Sequence, residues 1–510
     1  MVFEMNRTKN SFLNIAVALI SEIIILALGL VVPRIVLTHY GSDTNGLTST
    51  ISQIFTYMAL LNAGIGASAR NALYKPIQDD NKEEISYIMS TARRYYRRIS
   101  YMYFAAVFLM SIFLPFVLKT EIDYFTVAFY VFFEGLTNVV LFYFINIWTC
   151  FLTADGKTYI TSTVALISKI FSYGIKIVLS LMILNIAFIQ VGYFAISLVQ
   201  LVIYYIYMKH KYPWIDYGKA PKEAKLPDKN AYIVTEVAWT IFSSTDMIIL
   251  SLFVSTAMSS VYSIYSMVFV ALNGFLNSIY SSILFNLGQT FVSNKEQYKR
   301  LHNIFNSVFI GGMTCMMCVA YILIIPFVKL YTAGITDVEY IYKWLPLLFC
   351  LIQLLSWSRY VAGNLTGIAG YAKQTSYVSL IEALINLVLS IVFVNIWGIT
   401  GVLLATVLAL PLKVVYCNWL TEEKILCRSP FKTILLLISN YAIFVLTIIM
   451  SNLINLQISS YFMFSIYGII FSFVYFILLF LINGFVNNDV FKFAGKGLCF
   501  IWKRMRGVND

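Results

Sequence analysis

The feature that most constrains this chain is a series of long apolar runs that follow one another along almost its whole length. An α-helix needs about 20 consecutive apolar residues to cross the hydrocarbon core of a bilayer. The sequence therefore predicts an all-α polytopic membrane protein with about fourteen transmembrane helices. Their approximate bounds are 11–37, 46–74, 99–118, 124–152, 159–182, 189–208, 232–254, 261–292, 301–330, 342–366, 374–394, 399–420, 433–451 and 461–484.

The amino-acid composition excludes the soluble classes of protein. The 510 residues are 60% hydrophobic and 12% charged, whereas soluble domains have about 25% charged residues. The net charge of +12 does not indicate a nucleic-acid partner, because no segment is long enough to form a water-exposed domain with a basic face. The seven cysteines are scattered, and the CxxC pair Cys315 and Cys318 lies inside an apolar run. We interpret that pair as core residues and expect no metal site.

Lys and Arg concentrate in the loops on one side of the predicted helices. Positive residues near the ends of spans tend to stay in the cytoplasm, so both termini are expected to be cytoplasmic. The loops on the other side are short. A membrane-embedded sugar polymerase or ligase usually needs a sizeable outer loop to hold its acceptor, which makes an enzyme the less favoured class.

A polar segment at 209–231 divides the first twelve predicted helices into two sets of six. Matching residues recur between the halves at a nearly constant offset, for example Asn62 and Asn273. Because six is an even number, both halves would enter the membrane in the same direction, as in a parallel repeat. We therefore predict two pseudo-symmetric six-helix bundles around a central cleft. The predicted parts are a first bundle at 1–208, a connecting loop at 209–231, a second bundle at 232–420, two additional helices at 421–484 and a basic tail at 485–510.

Ionisable residues within the apolar runs point to a cavity. A charge at mid-bilayer costs about 2.5–3.5 kcal/mol, so such residues usually face a cavity or a partner. On the fifth predicted helix, Lys169, Tyr173 and Lys176 share one helical face. Both lysines lie several residues from the helix ends, which disfavours snorkelling to the interface. We interpret this face as the cationic wall of a cavity.

Other polar residues in the runs extend this candidate cavity. Arg34 and Arg70 lie in or near the first two predicted helices, and Asn62, Asn273 and Asn277 lie on small-residue stripes of the second and eighth. Small and polar residues also let membrane helices pack closely, so helix packing is the alternative interpretation of the stripes.

Aligning the two halves reveals an asymmetry of charge. Arg34 falls on Asp246 at an offset of 212, and Lys169 falls on Glu382 at 213. Our hypothesis is that the first bundle binds an anionic group, while acids in the second close the cleft or exchange a proton or Na⁺. The candidate coupling or gate residues are Asp246, Glu382 and Glu22 of the first helix. No other cofactor is expected.

Two stretches resemble known transporters. The sequence from Arg34 to Pro76, which contains LLNAGIGASARNALYKP, is similar to the start of bacterial polysaccharide and oligosaccharide flippases of the multidrug/oligosaccharidyl-lipid/polysaccharide exporter superfamily. STDMIILSLFVSTAMSSVYSIYSM, from Ser244, resembles the opening of their second half. The number of predicted helices matches the lipid II flippase branch, whereas many polysaccharide members have twelve.

This resemblance implies a two-lobe fold in a bacterial cell membrane. It also implies a function, the movement of undecaprenyl-diphosphate-linked oligosaccharide from the inner to the outer leaflet by alternating access. The diphosphate would bind Arg34, Arg70, Lys169 and Lys176. The sugar would contact the other cavity residues, which are Asn62, Tyr173, Asn273 and Asn277.

Two other functions stay open. One is an ion-coupled drug or cation exporter of the same superfamily, and the less favoured one is a membrane-embedded glycosyl-transfer enzyme. The basic, aromatic segment at 75–98 is expected to lie along the lipid headgroups as a topology anchor. Contact of this segment with glycan-assembly enzymes is the alternative.

Overall fold

The structure is a computed structural model, and it describes residues 2–60, 65–218, 240, 244–451, 453, 456 and 458–495. Within these ranges the chain is helical, with short connections and no strand. Ten of the described helices are long and apolar enough to cross a membrane. The chain is a multi-pass membrane protein with an all-α fold, as its apolar runs predicted.

The described residues of the first part form the helices α1–α9 and a π-helical turn, Leu141–Ile145, which lies between α4 and α5. The helices are α1 Val2–Ala59, α2 Ile65–Gln78, α3 Lys82–Val117, α4 Tyr124–Val140, α5 Asn146–Ala154, α6 Thr158–Leu181, α7 Ile186–Lys211, α8 Ser244–Phe253 and α9 Thr256–Ser293.

The described residues of the second part include the helices α10–α16, a π-helical turn, Leu420–Ile425, after α14, and a further helical stretch at 489–495. The helices are α10 Lys295–Tyr331, α11 Leu345–Trp357, α12 Tyr360–Ile368, α13 Ala372–Ala409, α14 Pro411–Trp419, α15 Phe431–Ser451 and α16 Tyr461–Val486.

Two long helices are each broken at one glycine, and the breaks separate predicted spans. Gly41 in α1 has φ 80° and ψ 179°, a backbone region that is essentially confined to glycine. It separates the first predicted run, 11–37, from the second. Gly398 (φ 55°, ψ −129°) divides α13 between the eleventh and twelfth runs in the same way.

The chain forms two compact units, residues 1–260 and 261–510. In the first unit, α6 packs against α1 and α7, and α4 packs against α3 and α7. In the second unit, α10 packs against α11, α15 and α16, and α13 packs against α11. The first unit includes α8, which the sequence assigned to the second bundle. The bundle boundaries inferred from the repeat stay a prediction.

A seam of hydroxyl contacts explains why α8 packs within the first unit. Thr50 of α1 hydrogen-bonds Ser251 of α8, and Tyr57 hydrogen-bonds Thr245. Such side chains bond across membrane helices where small residues let the backbones approach. Some polar residues of the second predicted helix therefore serve packing.

Candidate functional site

The candidate site of the first unit lies where α4, α6 and α7 meet. The Lys176 ammonium on α6 lies 4.2 Å from the ring centroid of Tyr193 on α7. It is within electrostatic range of Glu134 on α4, whose carboxylate accepts a hydrogen bond from Gln190 of α7. Tyr173 interacts electrostatically with the same carboxylate. We call these five residues the Glu134 cluster.

The Glu134 cluster balances a positive against a negative charge among aromatic rings. Its lysine and glutamate are both partly buried. Separating such a pair inside a membrane would leave one charge without compensation, which is strongly unfavourable. The arrangement therefore holds Lys176 in place beside Glu134.

Sequence analysis found only part of this group. Lys176 and Tyr173 were predicted together from their spacing on one helix. Their partners lie on other helices, and Gln190 and Tyr193 were missed. The sequence did carry one signal for this group, because Gln190 is a polar residue within an apolar run. In the structure its side chain is fully buried.

Lys169 differs from Lys176 although it lies two turns earlier on the same helix. Its side chain is exposed. Within the described ranges it forms no ion pair. The predicted cationic face of α6 therefore runs from an exposed lysine at 169 to one held by Glu134 at 176.

Arg70 on α2 belongs to a separate polar group. A β-carbon placed on Gly66 would lie 3.5 Å from Arg70 Nη1, 3.3 Å from the Tyr96 hydroxyl and 3.6 Å from Cys150 Sγ, so the three side chains converge there. Arg34 lies partly buried in the first segment of α1. Neither arginine joins the Glu134 cluster in the contacts of the described residues.

Two predicted site residues cannot be placed. Asn62 lies outside the described residues, and so does the side chain of Glu22. Asn273 accepts a hydrogen bond of 2.6 Å from Trp357 Nε1, and Asn277 on the same helix is exposed. Asn273 is therefore engaged in packing within the second unit, while Asn277 is accessible.

The two acids predicted for coupling have different surroundings. Asp246 on α8 is 5% exposed and interacts electrostatically with Tyr57 of α1. Glu382 on α13 forms an ion pair with Arg359, and the two side chains are 3% and 6% exposed. Lys413 of α14 lies within electrostatic range of that pair. Glu382 thus balances the charge of Arg359 inside the second unit.

The fold of this chain is similar to that of solved membrane transporters. No protein-family model and no curated protein sequence matches the chain. Among solved structures, the lipid II flippase MurJ in an inward closed conformation matches with a TM-score of 0.65 and 14% identity, covering 94% of this chain and all of that one.

Two further structures match over most of their length. An inward-facing multidrug resistance MATE family transporter of the MOP superfamily has a TM-score of 0.60 and 14% identity, covering 77% of this chain and 92% of its own. A MOP superfamily transporter from Pyrococcus furiosus, described as having a binding pocket of reverse polarity, has a TM-score of 0.56 and 14% identity, covering 81% and 94%. The chain therefore has the fold of the multidrug/oligosaccharidyl-lipid/polysaccharide exporter superfamily, as the sequence resemblance predicted.

Proposed function

We propose that this chain is a flippase that moves undecaprenyl-diphosphate-linked oligosaccharide from the inner to the outer leaflet by alternating access, for cell-surface polysaccharide biosynthesis. One observation carries the proposal most strongly. The likeness to a lipid II flippase covers 94% of the chain. Because the 6% left outside is shorter than α15 and α16 together, the match includes part of this pair, which follows the predicted twelve-helix repeat.

The charges of the first unit support an anionic substrate. A diphosphate carries about two negative charges, and removing it from water requires cations close by. Arg34, Arg70, Lys169 and Lys176 supply four within one unit. Lys169 is the first contact, because it is exposed and no ion pair has to break. Lys176 joins when the diphosphate replaces Glu134 as its partner.

The remaining roles follow from the same proposal. Tyr173, Asn62 and Asn277 offer hydrogen bonds to sugar hydroxyls. Asp246 exchanges a proton or Na⁺, while Glu382 is the gate residue. The protein lies in a bacterial cell membrane with both termini in the cytoplasm, and the basic segment 75–98 is where glycan-assembly enzymes would bind.

The test is leaflet transfer of a fluorescent undecaprenyl-diphosphate oligosaccharide in proteoliposomes. Lys169→Ala should lower the transfer rate at least about tenfold, equivalent to about 1.4 kcal/mol of lost binding. Lys373→Ala, which removes another exposed lysine, is the matched control and should transfer at the wild-type rate. Equal rates for wild type and Lys169→Ala would refute the assignment of Lys169 to the diphosphate.

A drug or cation exporter is the second candidate, and the likeness to a multidrug resistance transporter favours it. A cationic drug would need the Glu134 carboxylate, which Lys176 neutralises. Glu134→Gln should therefore abolish export of a cationic dye if this function holds. Under the flippase proposal, the same variant should retain transfer of the lipid-linked sugar.

A further inference from the structure

A second candidate site lies elsewhere in the first unit, in a cavity of about 330 Å³. Its walls come from α3, α5, α7, the π-helical turn before α5 and the segment after α7. Most of the wall is apolar or aromatic, and one arginine lies among these residues. The lining residues used below are Arg93, Tyr143, Trp148, Val202, Tyr205 and Tyr217.

The π-helical turn Leu141–Ile145 forms part of this wall. A π-bulge adds a residue to a helical turn, and such bulges often occur at functional sites. Tyr143 lies within this turn, and Trp148 follows in the next helix. Both aromatic side chains line the cavity, so the irregular helical turn contributes an aromatic ring to its wall.

Arg93 is held over an aromatic ring and stays open to an anion. Its guanidinium carbon lies 4.9 Å from the ring centroid of Tyr217. In the described part of the chain, no carboxylate forms an ion pair with it. The side chain is exposed. Stacking engages one face of a guanidinium, so the N–H groups along its edges stay available for a phosphate.

Tyr217 is fixed from two directions. Its hydroxyl accepts a hydrogen bond of 3.0 Å from Trp148 Nε1, and its carbonyl accepts one of 3.2 Å from Ser90 Oγ. Burial raises the pKa of Tyr217 above its usual value, so the phenol stays neutral at physiological pH. The ring under Arg93 is therefore a rigid, uncharged platform.

The cavity lies where basic residues give way to apolar ones. On α3 the basic stretch 93–98 precedes Met102, which is 57% exposed, and α7 ends on Lys209, His210 and Lys211. Val202 and Tyr205 of the wall are each 52% exposed. Tyr, Trp and Arg at such a boundary are typical of the headgroup level of a membrane. The cavity thus opens sideways toward lipid.

We propose that this cavity binds an anionic phospholipid of the surrounding bilayer. The phosphate contacts Arg93 at the polar end, and the start of one acyl chain lies along Tyr143, Trp148, Val202 and Tyr205. Charge complementarity selects the headgroup, because none of the described carboxylates forms an ion pair with Arg93 and further arginines follow on the same helix. The proposal is independent of the transported substrate.

Native mass spectrometry of the purified full-length protein tests this proposal, with phosphatidylglycerol and phosphatidylcholine added to delipidated samples. One phosphatidylglycerol should bind wild type at least tenfold more tightly than phosphatidylcholine does. Arg93→Gln should lose that preference. Arg94→Gln, which changes the next exposed arginine outside the cavity wall, should keep it. Val202→Trp, which fills the cavity from an exposed position, should reduce binding of the phospholipid.

Three outcomes would overturn the proposal. Equal losses in Arg93→Gln and Arg94→Gln would mean that the arginines attract lipid without a site. Equal binding of the two phospholipids would remove the role of the anionic headgroup. One-for-one displacement of phosphatidylglycerol by undecaprenyl phosphate would make the cavity a substrate site.

Discussion

At the scale of single residues, two acids of the described helices lie close to basic residues within the apolar core. Glu134 lies near Lys176, and Glu382 pairs with Arg359. The sequence identified Lys176 and Glu382 as costly residues within apolar runs. It did not identify the pairs, because partners on different helices have no fixed spacing along the chain. Tertiary packing decides which charges meet. Only the structure therefore distinguishes a cation that has a nearby carboxylate, such as Lys176, from one that is exposed, such as Lys169.

The Glu382 ion pair should stabilise the second unit. Glu382→Ala leaves Arg359 buried without its carboxylate and should lower the free energy of unfolding by about 3–5 kcal/mol. The double change Glu382→Leu with Arg359→Met removes both charges and should cost less than the single change. Thermal unfolding in detergent measures both variants. A double variant less stable than the single one would contradict this account.

Asp246 should be required for coupling to an ion gradient. Asp246→Asn keeps the shape of this buried side chain but cannot release a proton or bind Na⁺ as a carboxylate. Transport by this variant should no longer respond to an imposed proton or Na⁺ gradient. Glu339→Gln, which changes an exposed carboxylate in the loop before α11, is the control. If transport by Asp246→Asn still responds to the ion gradient as wild type does, Asp246 is not the coupling residue.

At the scale of helices, close approach is set by a few small residues. A methyl group on Gly46 of α1 would lie 1.6 Å from the carbonyl oxygen of Thr256 at the start of α9. The sequence predicted these helices but not this contact, since glycine in a stripe is also compatible with flexibility. The break at Gly41 falls in the gap that the sequence left between the first two predicted runs.

Gly46→Ala should therefore force α1 and α9 apart. We expect a loss of about 1–3 kcal/mol in stability, as for other overpacked sites. Gly29→Ala in the same helix is the control, because a methyl group there meets nothing within 4 Å. It should be neutral or stabilising by up to about 1 kcal/mol. Thermal unfolding compares the two, and equal effects would refute the close contact.

Arg428 should anchor α15 to α10. Its guanidinium bonds both oxygens of Glu422 and lies 3.2 Å from His302 Nδ1 on α10. Arg428→Gln should cost about 2–3 kcal/mol and expose the connection before α15 to trypsin. Arg300→Gln, which breaks a 3.6 Å ion pair with Asp489 at a 55% exposed arginine, should cost less than about 1 kcal/mol. Similar protease sensitivity in both variants would exclude the anchor.

At the scale of the whole molecule, hydropathy alone predicted the fold class. Within the described residues the predicted apolar runs fall mainly on helix, because satisfying backbone hydrogen bonds in lipid leaves the helix as the default. Part of the run at 232–254 lies outside the described residues. The phosphate-binding set was less predictable. Lys169 and Lys176 have the same residue type and helical face, yet one is exposed and the other lies beside Glu134. Only packing distinguishes them.

The central claim is that the cargo is a lipid-linked sugar, and a comparison of two cargoes tests it most directly. Proteoliposomes containing the wild-type protein would be supplied with a fluorescent undecaprenyl-diphosphate oligosaccharide or with a small cationic dye. We expect leaflet transfer of the lipid-linked sugar well above protein-free liposomes, and no export of the dye. Export of the dye without transfer of several lipid-linked sugars would contradict the claim and identify a cation exporter.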